Sequence, residues 1–206
     1  MNQQAMYKLS YGLFVATTHG EKGDNGCIIN TAVQAASSPN LMSICVNKAN
    51  LTCDCIRKTG MYSLSVISRD APFELFKRFG FQSGRTVDKF ADYKECKRGA
   101  NGIYYITEGT NARFDVRVVT LEDLGSHMMF IGEITDMDVL SEVPSATYEY
   151  YMSDIKPKPI PVGQTSDNRT IWRCRICGNE FIGEEIPNDY ICPVCKHPAA
   201  DFEKVM

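Results

Sequence analysis

Hydrophobic and polar residues alternate in several short runs along the first three quarters of the chain. Runs rich in β-branched and aromatic residues occupy positions 12–18, 41–46, 61–67, 112–119 and 129–140. Apolar side chains at every second position are typical of strands that bury one face. No regular helical crossovers separate these runs. The sequence therefore predicts a mainly β fold, and a closed antiparallel barrel is favoured over a sandwich.

Two short helices are predicted between the strands. Thr52 is a candidate N-cap before CDCIRKTG, and Gly60 should end that helix. Pro72 is a candidate first-turn residue before FELFKRFG, where Gly80 should end the second helix. Two short helical inserts leave the mainly β prediction unchanged.

A proline-rich segment divides the chain after residue 152. Three prolines stand at alternate positions in SDIKPKPIPVGQTSD, residues 153–167, and the segment ends in a polar run. Alternating proline favours an extended, semi-rigid backbone. The sequence therefore predicts a first domain at residues 1–152, a linker at 153–167 and a small second domain at 168–206.

The composition narrows the class of protein. The chain has 206 residues, 44% of them hydrophobic, and a formal net charge of −3. No apolar stretch approaches the ~18 residues of a membrane span, and the basic face expected of a nucleic-acid-binding protein is missing. The nine cysteines are an odd number, and most of those in the first domain have apolar neighbours. We therefore expect thiols rather than a disulfide framework, and a cytoplasmic protein.

The strongest chemical signal is a pair of Cys-x-x-Cys motifs in the predicted second domain. Cys174 with Cys177, and Cys192 with Cys195, can present four thiolates at the corners of a tetrahedron. Iron and zinc both accept that geometry. The spacing alone leaves both alternatives open, and a structural zinc ribbon is the commoner reading of such a pattern.

Several amide-rich, hydroxyl-rich and glycine-rich motifs stand among the predicted strands of the first domain. They are Asn30-Thr31-x-x-Gln34 before Pro39, Asn47-Lys48-x-Asn50-x-Thr52, FGFQSGRTVDKF at 79–90, GSHMMFIGEI at 125–134 and TYEYY at 147–151. Through these motifs, residues 7–152 resemble the flavin reductase-like family, whose split β-barrel binds FMN. With the cysteine motifs included, the whole chain resembles the high-molecular-weight rubredoxins, in which such a flavin domain carries a C-terminal rubredoxin.

The resemblance implies which residues hold FMN. Thr52 would contact the phosphate, which suits a position at the start of a helix, where unpaired N–H groups favour an anion. Arg85 and Lys89 would supply balancing charge, and His127 would lie near the nicotinamide or substrate face of the flavin as the candidate catalytic residue. Five further side chains correspond to those that line the isoalloxazine and ribityl chain: Asn30, Thr31, Gln34, Asn47 and Lys48.

Each of these assignments has an ordinary structural alternative. Asn and Thr between strands are often turn formers, the run at Asn47 is a possible helix cap, and a lone histidine is usually packed or exposed. Two departures from the family pattern also limit the transfer. Ala36 stands where relatives often have a hydroxyl residue, and Ser126 replaces an acidic residue that is common before the histidine.

The second domain resembles rubredoxin in more than its cysteines. Fourteen residues separate Cys177 from Cys192, which is closer to the shortened modules of peroxide-reducing proteins than to free-standing rubredoxins. Iron in thiolates exchanges one electron whereas zinc is redox-inert, so a neighbouring flavin favours one iron, Fe(Cys)4, over zinc. Aromatic and turn residues also fall at rubredoxin-like positions: Trp172, Gly178, Phe181, Tyr190, Pro193 and Phe202.

Together the two domains imply an NAD(P)H-oxidising flavoprotein. The resemblance implies a path from NADH or NADPH through FMN and iron to an acceptor protein, such as a flavodiiron oxygen or nitric oxide reductase or a peroxidase. It also implies a homodimer, and the composition adds the expectation of no nucleic-acid or membrane partner. The alternatives are a general flavin or ferric reductase, and a flavin-binding module with a structural zinc ribbon.

Overall fold

The computed structural model describes residues 2–156, 170–175, 177–193 and 197–205. Most of the predicted linker, from residue 157 onwards, lies outside these residues, and so does Cys195. No helix of the described residues is long and apolar enough to cross a membrane.

One antiparallel sheet of seven strands makes up most of the first domain, in the order β2-β1-β5-β8-β9-β4-β3. The strands β6 and β7 form a separate two-stranded hairpin in the same domain. The strands are β1 Phe14–Gly20, β2 Gly23–Ile29, β3 Ala32–Ser37, β4 Asn40–Asn47, β5 Met61–Ile67, β6 Cys96–Arg98, β7 Tyr104–Ile106, β8 Thr110–Asp123 and β9 His127–Val139. All five predicted runs lie in or overlap strands, so the mainly β prediction is confirmed.

The sheet curls into a barrel. Cys27 and Ile29 of β2 share one buried cluster with Met42 and Ile44 of β4, although β2 and β4 lie near opposite ends of the hydrogen-bonded order. Strands so far apart in the order can share a core only if the sheet rolls round it. The predicted barrel is therefore confirmed, with its core inside the roll.

Short helices pack against the barrel and take part in its two hydrophobic clusters. They are α1 Leu51–Thr59, α2 Phe73–Gly80 and the short α3 Tyr148–Tyr150, which continues into a π-helical turn at Tyr151–Ile155, and a 3-10 turn at Gln3–Lys8 begins the described chain. The α2 helix buries Leu75, Phe76 and Phe79 in a second cluster that includes Val15 of β1. Because β1 faces the barrel core on one side and α2 on the other, it is buried on both faces.

The predicted helix limits are right at one end and wrong at the other. Gly60 ends α1 in the left-handed conformation (φ 67°), and its N–H donates to the carbonyl of Ile56 at 2.8 Å. The N-cap, however, is Asn50 rather than Thr52, because the extended backbone (φ −76°, ψ 131°) ends there. Pro72 likewise caps α2 instead of lying in its first turn.

The described part of the second domain, here called the tail, is a three-stranded sheet in the order β11-β10-β12. Phe181, Tyr190 and Phe202 form its core, with ring centroids 4.7 Å apart for the first pair and 5.4 Å for the second. These three aromatic residues, which stand at rubredoxin-like positions of the sequence, thus pack together beside the cysteine cluster. The strands are β10 Ile171–Cys174, β11 Glu180–Ile182 and β12 Phe202–Lys204, and a 3-10 turn at Ala199–Asp201 precedes the last.

Candidate functional site

The start of α1 rests on the second strand and on the loop that follows α2. Asn25 of β2 donates from Nδ2 to Thr52 Oγ1 at 3.0 Å, and both side chains are buried. Gly84 packs against Asn25 so closely that a Cβ there would lie 2.1 Å from Asn25 Oδ1. Any larger residue at position 84 would therefore displace the Asn25 side chain that holds Thr52.

A cavity of about 410 Å³ opens beside this contact, within the usual size range of small-molecule sites. Arg85 lies on its wall and pairs with Asp54 of the first helical turn, Nη2 to Oδ2, at 2.8 Å. The side chain of Arg85 is 49% exposed, so it can turn towards a bound anion. The cavity is lined by residues 20–25 of the β1–β2 turn, residues 51, 54, 55, 58 and 59 of α1, and residues 84–88 of the loop.

Lys89 is buried close to β2 and does not line the cavity. Its side chain is buried, and Nζ donates to the carbonyl oxygens of Gly26 at 2.8 Å and Phe79 at 3.3 Å. Burial lowers the pKa of Lys89 from its ordinary value of 10.5 to about 8, and the nearby Cys27 thiol opposes this shift. Lys89 therefore ties the loop to β2, while its predicted role beside the phosphate stays a prediction.

A second group of candidate residues meets where β4 and β9 pair. The register places Asn47 opposite His127, and the backbone N–H of Lys48 donates to the carbonyl of Ser126 at 3.0 Å. Lys48 Nζ contacts Asp123 at 2.8 Å, and this hydrogen bond lowers the pKa of the Asp123 carboxyl. His127 Nδ1 lies 2.9 Å from Ser126 Oγ. A ligand would therefore meet this ring at Nε2.

The remaining flavin candidates lie on or next to β3. Thr31 Oγ1 donates to the carbonyl of Cys45 at 3.0 Å, and Gln34 Nε2 donates to Asn40 Oδ1 at 2.9 Å. Asn30 lies just after β2, in the connection to β3. Gln34 also lines a second cavity of about 410 Å³ with Met42, among other residues of β1, β3, β4, β5, β8 and β9. The predicted ring-lining residues thus fall into two groups, on β3 and at the end of β4.

Three cysteine sulfurs converge in the tail. The Sγ atoms of Cys174, Cys177 and Cys192 all lie within 4.8 Å of one another, and those of Cys177 and Cys192 are 3.5 Å apart. Metal–sulfur bonds of about 2.3 Å place tetrahedral sulfurs about 3.8 Å apart, so the described thiols fit three corners of such a site. The fourth predicted ligand, Cys195, lies outside the described residues and stays a prediction.

The loops around these cysteines are shaped for the site. Gly178 has a positive φ of 81° and donates its N–H to the carbonyl of Cys174 at 2.9 Å, which closes the first Cys-x-x-Cys turn. The N–H of Cys174 donates to the carbonyl of Asn179, and the N–H of Cys192 donates to the carbonyl of His197, both at 2.8 Å, so an equivalent backbone bond spans each loop. Both turns are thus held by backbone bonds that do not depend on side-chain partners.

Sequence reasoning missed Asn25, Asp54 and Asp123. Asn25 belongs to a strand that the hydrophobic pattern did not predict, and its contact with Thr52 spans 27 positions of the chain. Asp54 in the first turn of a predicted helix was a usable signal, since acidic residues favour that position. Asp123 reaches Lys48 only because β8 and β9 form a long hairpin.

Comparison with protein families agrees with this geometry. Residues 6–158 match the flavin reductase like domain, and residues 172–203 match the rubrerythrin, rubredoxin-like domain. The chain therefore belongs to the flavin reductase-like family and carries a rubredoxin-like domain behind the barrel. It is a flavin-dependent oxidoreductase of that family.

Two curated relatives show how far the likeness extends. The high molecular weight rubredoxin of Moorella thermoacetica is 32% identical, with 100% of both chains covered. The ferric-chelate reductase (NAD(P)H) of Archaeoglobus fulgidus is 35% identical over 151 residues, covering 73% of this chain and 89% of the relative. The first likeness includes the tail, whereas the second covers a length close to that of the barrel.

A solved structure supports the fold. The NADH:FAD oxidoreductase SgcE6 of Streptomyces globisporus C-1027 superposes with a TM-score of 0.62 and 22% identity, covering 70% of this chain and 85% of that chain. At this identity the likeness concerns the fold alone.

Proposed function

We propose that the protein oxidises NADH or NADPH through FMN and passes the electrons by way of an Fe(Cys)4 centre to an acceptor protein in the cytoplasm. A flavodiiron oxygen or nitric oxide reductase, or a peroxidase, is the acceptor class that we expect. The observation that carries the proposal is the cluster of three thiols behind a flavin reductase barrel, with the Sγ atoms of Cys177 and Cys192 at 3.5 Å.

The two groups have complementary electron chemistry. Bound flavin accepts a hydride and can release electrons singly, and iron in thiolates accepts one electron with little change of shape. A zinc ion in the same thiolates would have no part in this transfer. The combination of domains therefore favours iron.

The start of α1 is suited to hold the phosphate of FMN. The first N–H groups of a helix and its positive end favour an anion, and Thr52 lies in this first turn. Arg85 supplies an accessible positive charge from the loop that faces α1, and the buried Lys89 adds a second positive charge close to β2. We assign the phosphate to this end of the cavity, with binding by backbone N–H groups and Arg85.

The other candidates are assigned to the ring and the nicotinamide. Lys48 and Asn47 stand at the end of β4, beside His127, so these side chains can contact one ligand together. We assign His127 to the position of the nicotinamide, where Nε2 would orient the carboxamide or a neighbouring group. Asn30 and Thr31, just before β3, and Gln34 of β3 would line the isoalloxazine and ribityl chain.

A homodimer with FMN near the interface is part of the proposal. Val33 of β3 and Met137 and Val139 of β9 are large apolar side chains that are 64%, 54% and 68% exposed. Val33 and Met137 also line the β3 cavity that contains Gln34. A second chain that covers this surface would bury the apolar side chains and enclose the ring-binding end of the site. A monomer that retains one FMN per chain would contradict this part.

One alternative is favoured by a specific observation. The Archaeoglobus fulgidus relative is named a ferric-chelate reductase. The 151 residues over which it resembles this chain are about as many as the barrel contains. On this alternative, the barrel reduces flavin or ferric chelates directly, and the tail is a docking module or a structural zinc ribbon.

Metal content and the order of reduction test the proposal. Purified protein should contain one iron per chain and show visible thiolate–iron bands beyond those of flavin. Anaerobic NADH or NADPH should bleach the flavin first and the iron bands afterwards. Stoichiometric zinc with a purely flavin spectrum would overturn the electron-transfer function and leave the alternative.

A further inference from the structure

Phe81 follows directly after α2 and packs against two separate hydrophobic clusters. On the barrel side it packs against the cluster that contains Phe76, and its ring centroid lies 5.9 Å from that of Phe73. On the tail side it packs against the cluster formed by the three metal-site cysteines and Phe202. A single half-buried ring is therefore shared between the barrel and the metal centre of the same chain.

Tyr151, in the π-helical turn that follows α3, supports the barrel side of this contact. It is 7% exposed, and its ring stacks on Phe76 with centroids 4.5 Å apart. Burial raises the pKa of the Tyr151 phenol, and the nearby Tyr148 and Cys177 add to this shift. Lys156, at the end of the helical turn, lies 3.5 Å from the carbonyl of Arg175, Nζ to O, at the edge of hydrogen-bond range.

We propose that Phe81, backed by Tyr151, is the docking contact that holds the tail's metal centre against the barrel of its own chain. Phe81 and the buried cysteine cluster form an apolar contact, and Tyr151 packs in the barrel-side cluster to which Phe81 belongs. Docking of this kind limits the tail to one orientation, which a tether alone does not do.

The contact also connects to the candidate flavin site, a step that rests on the proposed function. Phe81 begins the loop that carries Arg85 and Lys89, four and eight positions further on. Phe81 is thus a positioning residue that links the metal centre and the candidate phosphate groups through one short segment. In the transfer that this contact would serve, reduced flavin would lose one electron and one ferric ion would gain it. Two such transfers use the two electrons of one hydride.

The only tryptophan of the chain, Trp172, lies in the tail and reports on docking without any flavin. The experiment uses the full chain loaded with zinc, which takes the same tetrahedral thiolates and undergoes no redox change. Time-resolved fluorescence anisotropy measures how fast Trp172 rotates. If the tail docks, Trp172 rotates with the barrel.

Phe81→Asp should release the tail, because it places a negative charge in an apolar contact beside thiolates. The rotational correlation time of Trp172 should then fall by a factor of about two or more, since a tethered tail rotates apart from the barrel. Met152→Asp is the matched control, because it changes an exposed apolar residue next to Tyr151, 47% exposed, into the same acid. This control should keep the slow rotation.

Phe81→Leu is a second variant that controls for a folding defect. It keeps the site apolar and should give an intermediate rotation time. Circular dichroism and the melting temperature of each variant show whether the barrel is intact. Slow rotation of Trp172 in folded Phe81→Asp would overturn the docking proposal, whatever the fate of the proposed electron transfer. Fast rotation in the unmodified chain would overturn it equally.

A mixed sample separates docking within one chain from docking on a partner chain. Phe81→Asp chains, which carry Trp172, are co-expressed with an excess of Trp172→Phe chains, which carry an intact Phe81. Docking within one chain predicts that Trp172 still rotates fast in the mixture. Recovery of slow rotation would show that the tail docks on a partner's barrel and would overturn the proposal. If docking holds but NADH never reduces the iron form, the proposed function fails and the docking surface stands.

Discussion

Asn25 Nδ2 donates a hydrogen bond to Thr52 Oγ1 at 3.0 Å and thereby joins the second strand to the first turn of α1. Asn25 is 4% exposed and Thr52 is 1% exposed, so water does not compete for either group. The contact fixes the helix start at which we place the phosphate.

Thr52→Val should destabilise the protein, because it keeps the shape of the side chain but leaves the amide of Asn25 without its acceptor. A buried donor left unpaired costs about 1 to 3 kcal/mol of unfolding free energy. Urea unfolding of the flavin-free protein measures this loss. Thr52→Ser keeps the oxygen and should lose much less. A larger loss in Thr52→Ser than in Thr52→Val, which keeps the methyl group, would show that packing of the methyl group, and not the hydrogen bond, matters.

Arg85→Ala should weaken FMN binding, because Arg85 is the accessible cation on the loop that faces α1. A charge-assisted contact contributes about 1.5 to 3 kcal/mol, which corresponds to roughly one to two decades in affinity. The dissociation constant from fluorescence titration of FMN measures the effect.

Arg57→Ala is the matched control for that variant. Arg57 also pairs with Asp54, at 3.6 Å, but does not line the cavity. It should leave FMN affinity nearly unchanged. Equal weakening in both variants would mean that the charge of Asp54, rather than a contact with phosphate, explains the result.

Regular strands could be predicted from the sequence because their alternation is local. The run 61–67 coincides with β5 Met61–Ile67, and Gly60 ends α1 where the pattern places it. The β2 strand was missed because GDNGCII contains residues that disfavour strands, and it is stabilised by distant pairing, such as Ile29 with Phe14.

The cysteine cluster could be predicted from the sequence, but the burial of Lys89 and its hydrogen-bond partners could not. The cysteine motifs specify their own cluster, since each pair forms one local turn. Lys89, in contrast, stands in a polar stretch of the sequence, and its partners are carbonyls 10 and 63 positions away. Such partners are determined by how β2 and α2 meet, which no local pattern records.

The buried Lys89 should give the protein's stability a pH dependence. Its pKa is about 8 in the folded chain and near 10.5 when unfolded, so burial opposes the charged form. Below pH 8 both states are protonated and the full cost is present. Between about pH 8 and 10.5 the unfolded state binds more protons, so this contribution to stability rises with pH, by about 3 kcal/mol in total.

Lys89→Met isolates this effect. The difference in unfolding free energy between the unmodified protein and Lys89→Met should shift in favour of the unmodified protein from pH 8 to 10.5. Burial raises the pKa of the Cys27 thiol, which gives the opposite slope at high pH, but this group is present in both proteins. Lys94→Met, which removes an exposed lysine, is the control. A constant difference across this range would show that Lys89 is not buried as a cation.

Cys177→Ser should separate the two domains functionally. Cys177 is 3% exposed, and its Sγ lies 3.5 Å from that of Cys192, so an oxygen in its place removes one soft ligand from the metal site. The barrel core contains no tail residue among its described members, so the barrel should remain folded. Metal content should fall, while the melting transition of the barrel and its FMN affinity should change little.

The same variant decides whether the metal centre lies between flavin and acceptor. Stopped-flow reduction of FMN by NADH should proceed at close to its original rate, because the candidate residues for FMN and nicotinamide all belong to the barrel. Reduction of a one-electron acceptor protein should fall by a large factor, because the proposed carrier between flavin and acceptor is lost. Ser153→Ala, an exposed change ahead of the tail, is the control and should affect neither rate. If Cys177→Ser passes electrons to the acceptor as fast as the unmodified chain, flavin is the direct donor and the tail serves docking alone.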